Sequence, residues 1–149
     1  MANRSGNNVR MRFRLWHVPL RLFTGAFILN SGLSKRNADL DTAKHLHEFA
    51  AGAFPQLADI PPDRFVQMLS TAEIAVGATL LMPVIPPAVA GAALTAFSGS
   101  LLGLYWRTPK LHEPDDPRPT PEGIPIAKDS WMLAIGLALM ADALPFTRH

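Results

Sequence analysis

Apolar residues in this chain are gathered into long runs separated by polar connectors. Between Arg64 and Arg107 lie 42 residues in which Glu73 is the only charged side chain. A membrane-crossing helix takes about 20 apolar residues, at about 1.5 Å per residue across about 30 Å of hydrocarbon, so this stretch holds two. Pro83, Pro86 and Pro87 mark the break, because proline lacks an N–H and clashes with the preceding turn. The predicted spans are therefore 65–82 and 88–106. An earlier run over 15–33 carries His17 and Arg21, and a last run over 130–146 has Asp142 as its only charge.

The connectors differ in kind. Leu40, Ala43, Leu46, Phe49, Ala50, Ala53 and Phe54 recur at helical spacing, with Asp39 placed to cap the start and Pro55 to close the end. This predicts a short amphipathic helix over 39–54, lying at the membrane surface or folded back on the bundle. Pro61, Pro62 and Asp63 then suit the start of the second span. From 107 to 128 six prolines stand among charges, which predicts an extended, polyproline-like loop without regular structure. It would serve either as a docking strap for a partner or as a solvated connector. The fold class expected is all-α: a four-transmembrane-helix bundle with an amphipathic helix between spans 1 and 2 and a Pro-rich loop between spans 3 and 4. A basic tail over 1–14 precedes a single membrane domain over 15–149.

Composition sharpens this pattern. The mean hydropathy of +0.13 and the 17% of charged residues, in a chain of 149, average two separate populations. A soluble globule of this size could not supply enough polar surface to wrap four such helices. A cleaved signal peptide is disfavoured by Arg21, Asn30 and Ser31 in the first run. The absence of cysteine excludes disulfides, thiolate metal sites and dithiol chemistry. No histidine pair occupies facing mid-membrane positions, and His45, His47 and Glu48 are poorly spaced for a metal, so no metal or haem is expected. No phosphate loop, nucleophile triad or nucleic-acid motif is present, so no nucleic-acid partner is expected. The two long loops hold eight Lys or Arg, a count that favours cytoplasmic loops, but Arg4, Arg10, Arg12 and Arg14 precede the first span without an acid and the first helix usually dominates insertion, which selects cytoplasmic termini in the cell membrane.

Depth along the spans selects the candidate chemistry. From the face holding the termini, Arg21 falls at about 9 Å, Asp142 at about 8 Å, Thr95 at about 10 Å and Glu73 at about 13 Å. Buried charges in hydrocarbon are costly and seek partners, so Arg21 is expected to pair with Glu73 or Asp142, with Thr95 completing the layer. That layer is either a structural ion-pair cluster or a ligand or proton site. Asn30, Ser31 and Lys35 form a second polar group towards the opposite face. Gly91, Thr95, Gly99 and Gly103 make a small-residue stripe, expected to pack in the core or to form a dimer face.

Arg21-Leu22-Phe23-Thr24-Gly25, Gly32-Leu33-Ser34-Lys35 and Glu73-Ile74-Ala75-Val76-Gly77 resemble the DoxX-like membrane proteins of actinobacterial type. The resemblance implies four transmembrane helices, with Arg21, Gly25, Gly32, Lys35, Glu73 and Gly77 as the carried-over positions. It also implies association with quinone-linked or membrane-anchored redox complexes. The expected function is a noncatalytic accessory subunit, without activity of its own, that docks to or stabilises a larger membrane complex of respiratory or redox type. Its expected partners are the bilayer, other membrane subunits and, through the stripe, a second copy. The alternative is a quinone- or lipid-binding subunit of an oxidoreductase that uses the Arg21, Glu73 and Asp142 layer. No cofactor motif is evident, so any electron transfer would have to come from a bound quinone or a partner.

Overall fold

A computed structural model describes residues 14–144, and among these the chain is all-helical, with no strand. Most of the basic tail and the last residues of the fourth predicted span therefore lie outside the described residues. The elements are α1 (His17–Arg36), α2 (Leu40–Ala53), α3 (Pro62–Leu81), α4 (Pro87–Arg107), the single turn α5 (Ile124–Ala127) and α6 (Asp129–Ala141). Two stretches, Pro87–Arg107 and Ile124–Ala141, are long and apolar enough to cross a membrane. α1 and α3 have the length but carry the polar residues that lower their hydropathy.

Local chemistry sets the boundaries. Asp39 caps α2 by accepting from the Thr42 N–H at 2.8 Å, and hydrogen bonding from Thr42 holds its carboxyl below the usual carboxylate range. Pro62 and Pro87 occupy the first turns of α3 and α4, where a missing N–H costs nothing.

The helices pack as two close pairs, α1 with α3 and α4 with α6, joined through a core of Ile28, Leu80, Ala90, Leu94 and Leu139. Glycines allow the close approach. A Cβ at Gly77 would stand 2.7 Å from the Leu29 nitrogen, and one at Gly25 would stand 2.9 Å from Leu81 Cγ. Gly32 sits equally close to Glu73 and Ile74. In the second pair a Cβ at Gly91 would reach 2.6 Å from the Gly136 carbonyl, and Gly136 in turn lies against Thr95. Gly77→Leu should therefore separate α1 from α3 and cost about 1–3 kcal/mol, whereas Gly99→Leu, with no atom within 4 Å of its Cβ position, should leave stability unchanged. Thermal unfolding of the two variants in one detergent checks this; equal losses would contradict the packing.

The predicted small-residue stripe is divided. Gly91 and Thr95 face α6, Gly103 approaches only the Phe54 ring, at 3.5 Å, and Gly99 faces open space. A stripe at every fourth residue drifts around a helix of 3.6 residues per turn, so its two ends meet different neighbours.

The Pro-rich connector departs from the extended loop expected. A 3₁₀ turn covers Pro109–Leu111, His112 bridges antiparallel to Pro119, and the Leu111 carbonyl accepts from the Thr120 N–H at 3.0 Å. Tyr105 Oη donates to the Pro117 carbonyl at 2.8 Å, and Leu111 is buried beneath the loop. Asp116 accepts from the Arg118 backbone and side chain, which holds its carboxyl below the usual range. The prolines silence their own donors, but the residues between them keep theirs and close the turns. α5 then runs almost directly into α6, so the last helical stretch begins at 124 rather than 130.

Candidate functional site

Arg21 projects from the first turns of α1 onto the end of α3. Its Nε donates to the Leu80 carbonyl at 2.8 Å, Nη1 to Ile85 at 3.0 Å, and Nη2 to Thr79 at 3.0 Å and Met82 at 2.8 Å. The last carbonyls of a helix have no partner within it. Here the deficit is written in the sequence: the residue four beyond Thr79 is Pro83, which has no N–H to offer. Arg21 replaces the missing donors and places a cation at the negative end of the α3 dipole. Four of its five N–H groups are committed to backbone.

Arg21 therefore does not pair with Glu73 or with Asp142, and the single polar layer expected from depth is not formed. Side chains on a helix lean towards its N-terminus. Since α1 and α3 run antiparallel, Arg21 leans to the terminal face while Glu73 leans the other way. A difference of about 4 Å between their backbone depths thus becomes a separation into two sites.

Glu73 meets the group expected near the opposite face. Lys35 Nζ lies 3.1 Å from Glu73 Oε1 and donates to Ser31 Oγ at 2.7 Å, while Ser31 Oγ donates to the same Oε1 at 3.3 Å. Glu73 is buried, and its Oε2 has no hydrogen-bond partner among the described residues. Nearby, Ser70 Oγ donates to the Gly32 carbonyl at 2.7 Å, tying α3 to α1. Ser31 and Lys35 also line an open cleft of about 650 Å³ between the end of α1 and the start of α2, on which Asn30 borders too.

Asp142 belongs to a third cluster. α6 ends at Ala141, so Asp142 follows the helix rather than lying within a span. Its Oδ1 is 2.9 Å from Arg14 and its Oδ2 is 3.1 Å from His17 Nε2, which clips the end of α6 to the start of α1. Thr95 stands apart from all three, its hydroxyl directed at the Met140 sulfur 3.6 Å away.

Sequence reasoning passed over Ser70 and Gly136, and it named His17 without giving it a role. A signal existed for Gly136, the small residue in the last apolar run that falls opposite Gly91 when α4 and α6 are laid antiparallel. His47 spends Nε2 on the Leu57 carbonyl at 2.8 Å, a contact that fixes the turn after α2. Among the described residues no three His, Asp or Glu side chains gather as metal ligands would. Compared with family models, curated proteins and solved structures, the chain matches none.

Proposed function

We propose that the chain is a multi-pass integral membrane protein, with α1, α3, α4 and the α5–α6 stretch crossing the bilayer, and that it acts as a noncatalytic accessory subunit. The observation that supports membrane immersion is an inversion of polarity. Arg21 and Glu73 are only 5% and 6% exposed, whereas Phe23, Phe27 and Trp131 are 74%, 70% and 70% exposed. In water that arrangement leaves an apolar surface bare around a polar interior; in hydrocarbon it is the favourable one. Trp16 near one end, with Trp106 and Trp131 near the other, are all exposed, as interfacial anchors would be.

Docking is supported by α4. Ala92, Ala96, Gly99 and Ser100 are exposed along one face, and nothing occupies the space at Gly99. Small residues let a partner helix approach closely in a bilayer. The resemblance to DoxX-like proteins makes the complex a redox one in this reading, and the basic segment ahead of α1 supports cytoplasmic termini by the positive-inside preference. Arg21 and Asp142, each satisfied within the fold, serve as structural residues, and the polar-layer ligand reading loses its basis.

Mild-detergent isolation of the tagged chain from its native membrane should recover a partner in fixed stoichiometry. Gly99→Ile should abolish that recovery, while Gly52→Ile, on α2 with equally open space, should retain it. Recovery of a homogeneous monomer from wild type would sink the proposal.

A further inference from the structure

The open cleft of about 650 Å³ between the end of α1 and the start of α2 has the size of a ligand site and takes no part in helix packing. Its polar lining is unspent. The carboxamides of Asn30 and Asn37 make no hydrogen bond within the described residues, and Ser34 Oγ uses only its proton, on the Asn30 carbonyl at 2.8 Å. Lys35 gives two of its three N–H groups to Ser31 and Glu73, and the third remains free beside the cleft.

The charge is balanced against an anion. Glu73 sits 3.1 Å from the Lys35 ammonium, and Asp39, whose carboxylate caps α2, is also among the lining residues. A phosphate would meet the Asp39 carboxylate and a single cation already paired with Glu73, whereas phosphate sites present free cations or an arginine fork. Amides and hydroxyls match hydroxyl groups instead, each able to give and to take a hydrogen bond.

The approach to the cleft is apolar. Phe23, Phe27, Asn30 and Ser34 follow one another at intervals of three or four on α1, so they share a face that changes from phenyl rings to polar groups along its length. Phe27 both lines the cleft and is exposed outside it. An amphiphile lying along this face would place its tail on the two rings and its head among the amides.

From these placements we infer that the α1–α2 cleft binds the headgroup of an uncharged, hydroxyl-rich lipid, a glycosyl lipid, with its acyl chain lying on Phe23 and Phe27. The inference rests on the membrane reading given above. Lys35 and the two carboxamides hold the sugar hydroxyls, while Glu73 fixes Lys35 and cancels its charge.

Native mass spectrometry of the full chain released from micelles tests this, with a dihexosyl diacylglycerol, phosphatidylglycerol and phosphatidylethanolamine of matched acyl chains as probes. The glycosyl lipid should be retained on the protein in preference to both phospholipids. Asn30→Ala and Asn37→Ala, at exposed positions outside the packing, should each lower its retention about fivefold with no change in thermal midpoint. Phe27→Ser should lower retention of all three lipids. Preference for either phospholipid, equal retention of all three, or indifference to both Asn substitutions would overturn the site. Alkaline carbonate washing of membranes holding the chain separates the two readings. A chain that resists extraction but shows no glycosyl-lipid preference leaves the membrane reading standing and removes the site, whereas a chain released by carbonate removes both.

Discussion

Arg21→Ala should cost on the order of 3 kcal/mol or more of stability, because three carbonyls lose their donor at once. Thr79, Leu80 and Ile85 accept from the guanidinium at 2.8–3.0 Å, and Met82 alone among the four keeps another donor, the Ile85 N–H at 3.2 Å. Each buried acceptor left bare costs about 1 kcal/mol or more, and the substitution also removes the cation from the end of the α3 dipole. Arg21→Lys should recover only part of the loss, since an ammonium brings three donors on one nitrogen to acceptors that a planar fork reaches from three. The damage should appear as loss of the α3–α4 turn, seen as faster amide exchange over 79–86 and a lowered thermal midpoint in micelles. A wild-type midpoint for Arg21→Ala would show that the carbonyls are served by water and that Arg21 is free for another role.

Much of this arrangement was open to reading in the sequence, and particular residues show where reading stopped. The helix starts at Pro62 and Pro87 and the cap at Asp39 follow from local chemistry, which needs no partner from elsewhere in the chain. The charge-poor runs located the long helices, although among the described residues only two stretches are apolar enough by themselves to cross a membrane. Arg21 was visible as a buried cation, but its partners are carbonyls, which leave no letter in the sequence. The clue was the proline at 83, which silences the donor that Thr79 would have used. Glu73 was placed by backbone depth, and the lean of side chains along antiparallel helices moved it to Lys35. The order of the Pro-rich connector depends on Tyr105 reaching Pro117 and on the burial of Leu111, both non-local events that local composition does not carry.

Lys35→Met should be at least as costly as loss of Arg21, at about 3–5 kcal/mol, because it strands a buried carboxylate. Glu73 Oε1 would keep only the Ser31 hydroxyl at 3.3 Å, and Oε2 already has no hydrogen-bond partner among the described residues. The pair itself contributes much less than this figure, since bringing both charges out of water offsets most of their attraction. Two further variants separate those quantities. Glu73→Gln alone removes the buried charge and leaves Lys35, at the end of α1 and partly open to the cleft, with an uncharged oxygen to bond. Lys35→Met combined with Glu73→Gln should then regain most of the stability lost by Lys35→Met alone, so the double-mutant cycle should show strong positive coupling. Additive losses in that cycle would mean that Glu73 is held by something other than Lys35, and the orphaned Oε2 would become the place to look for it.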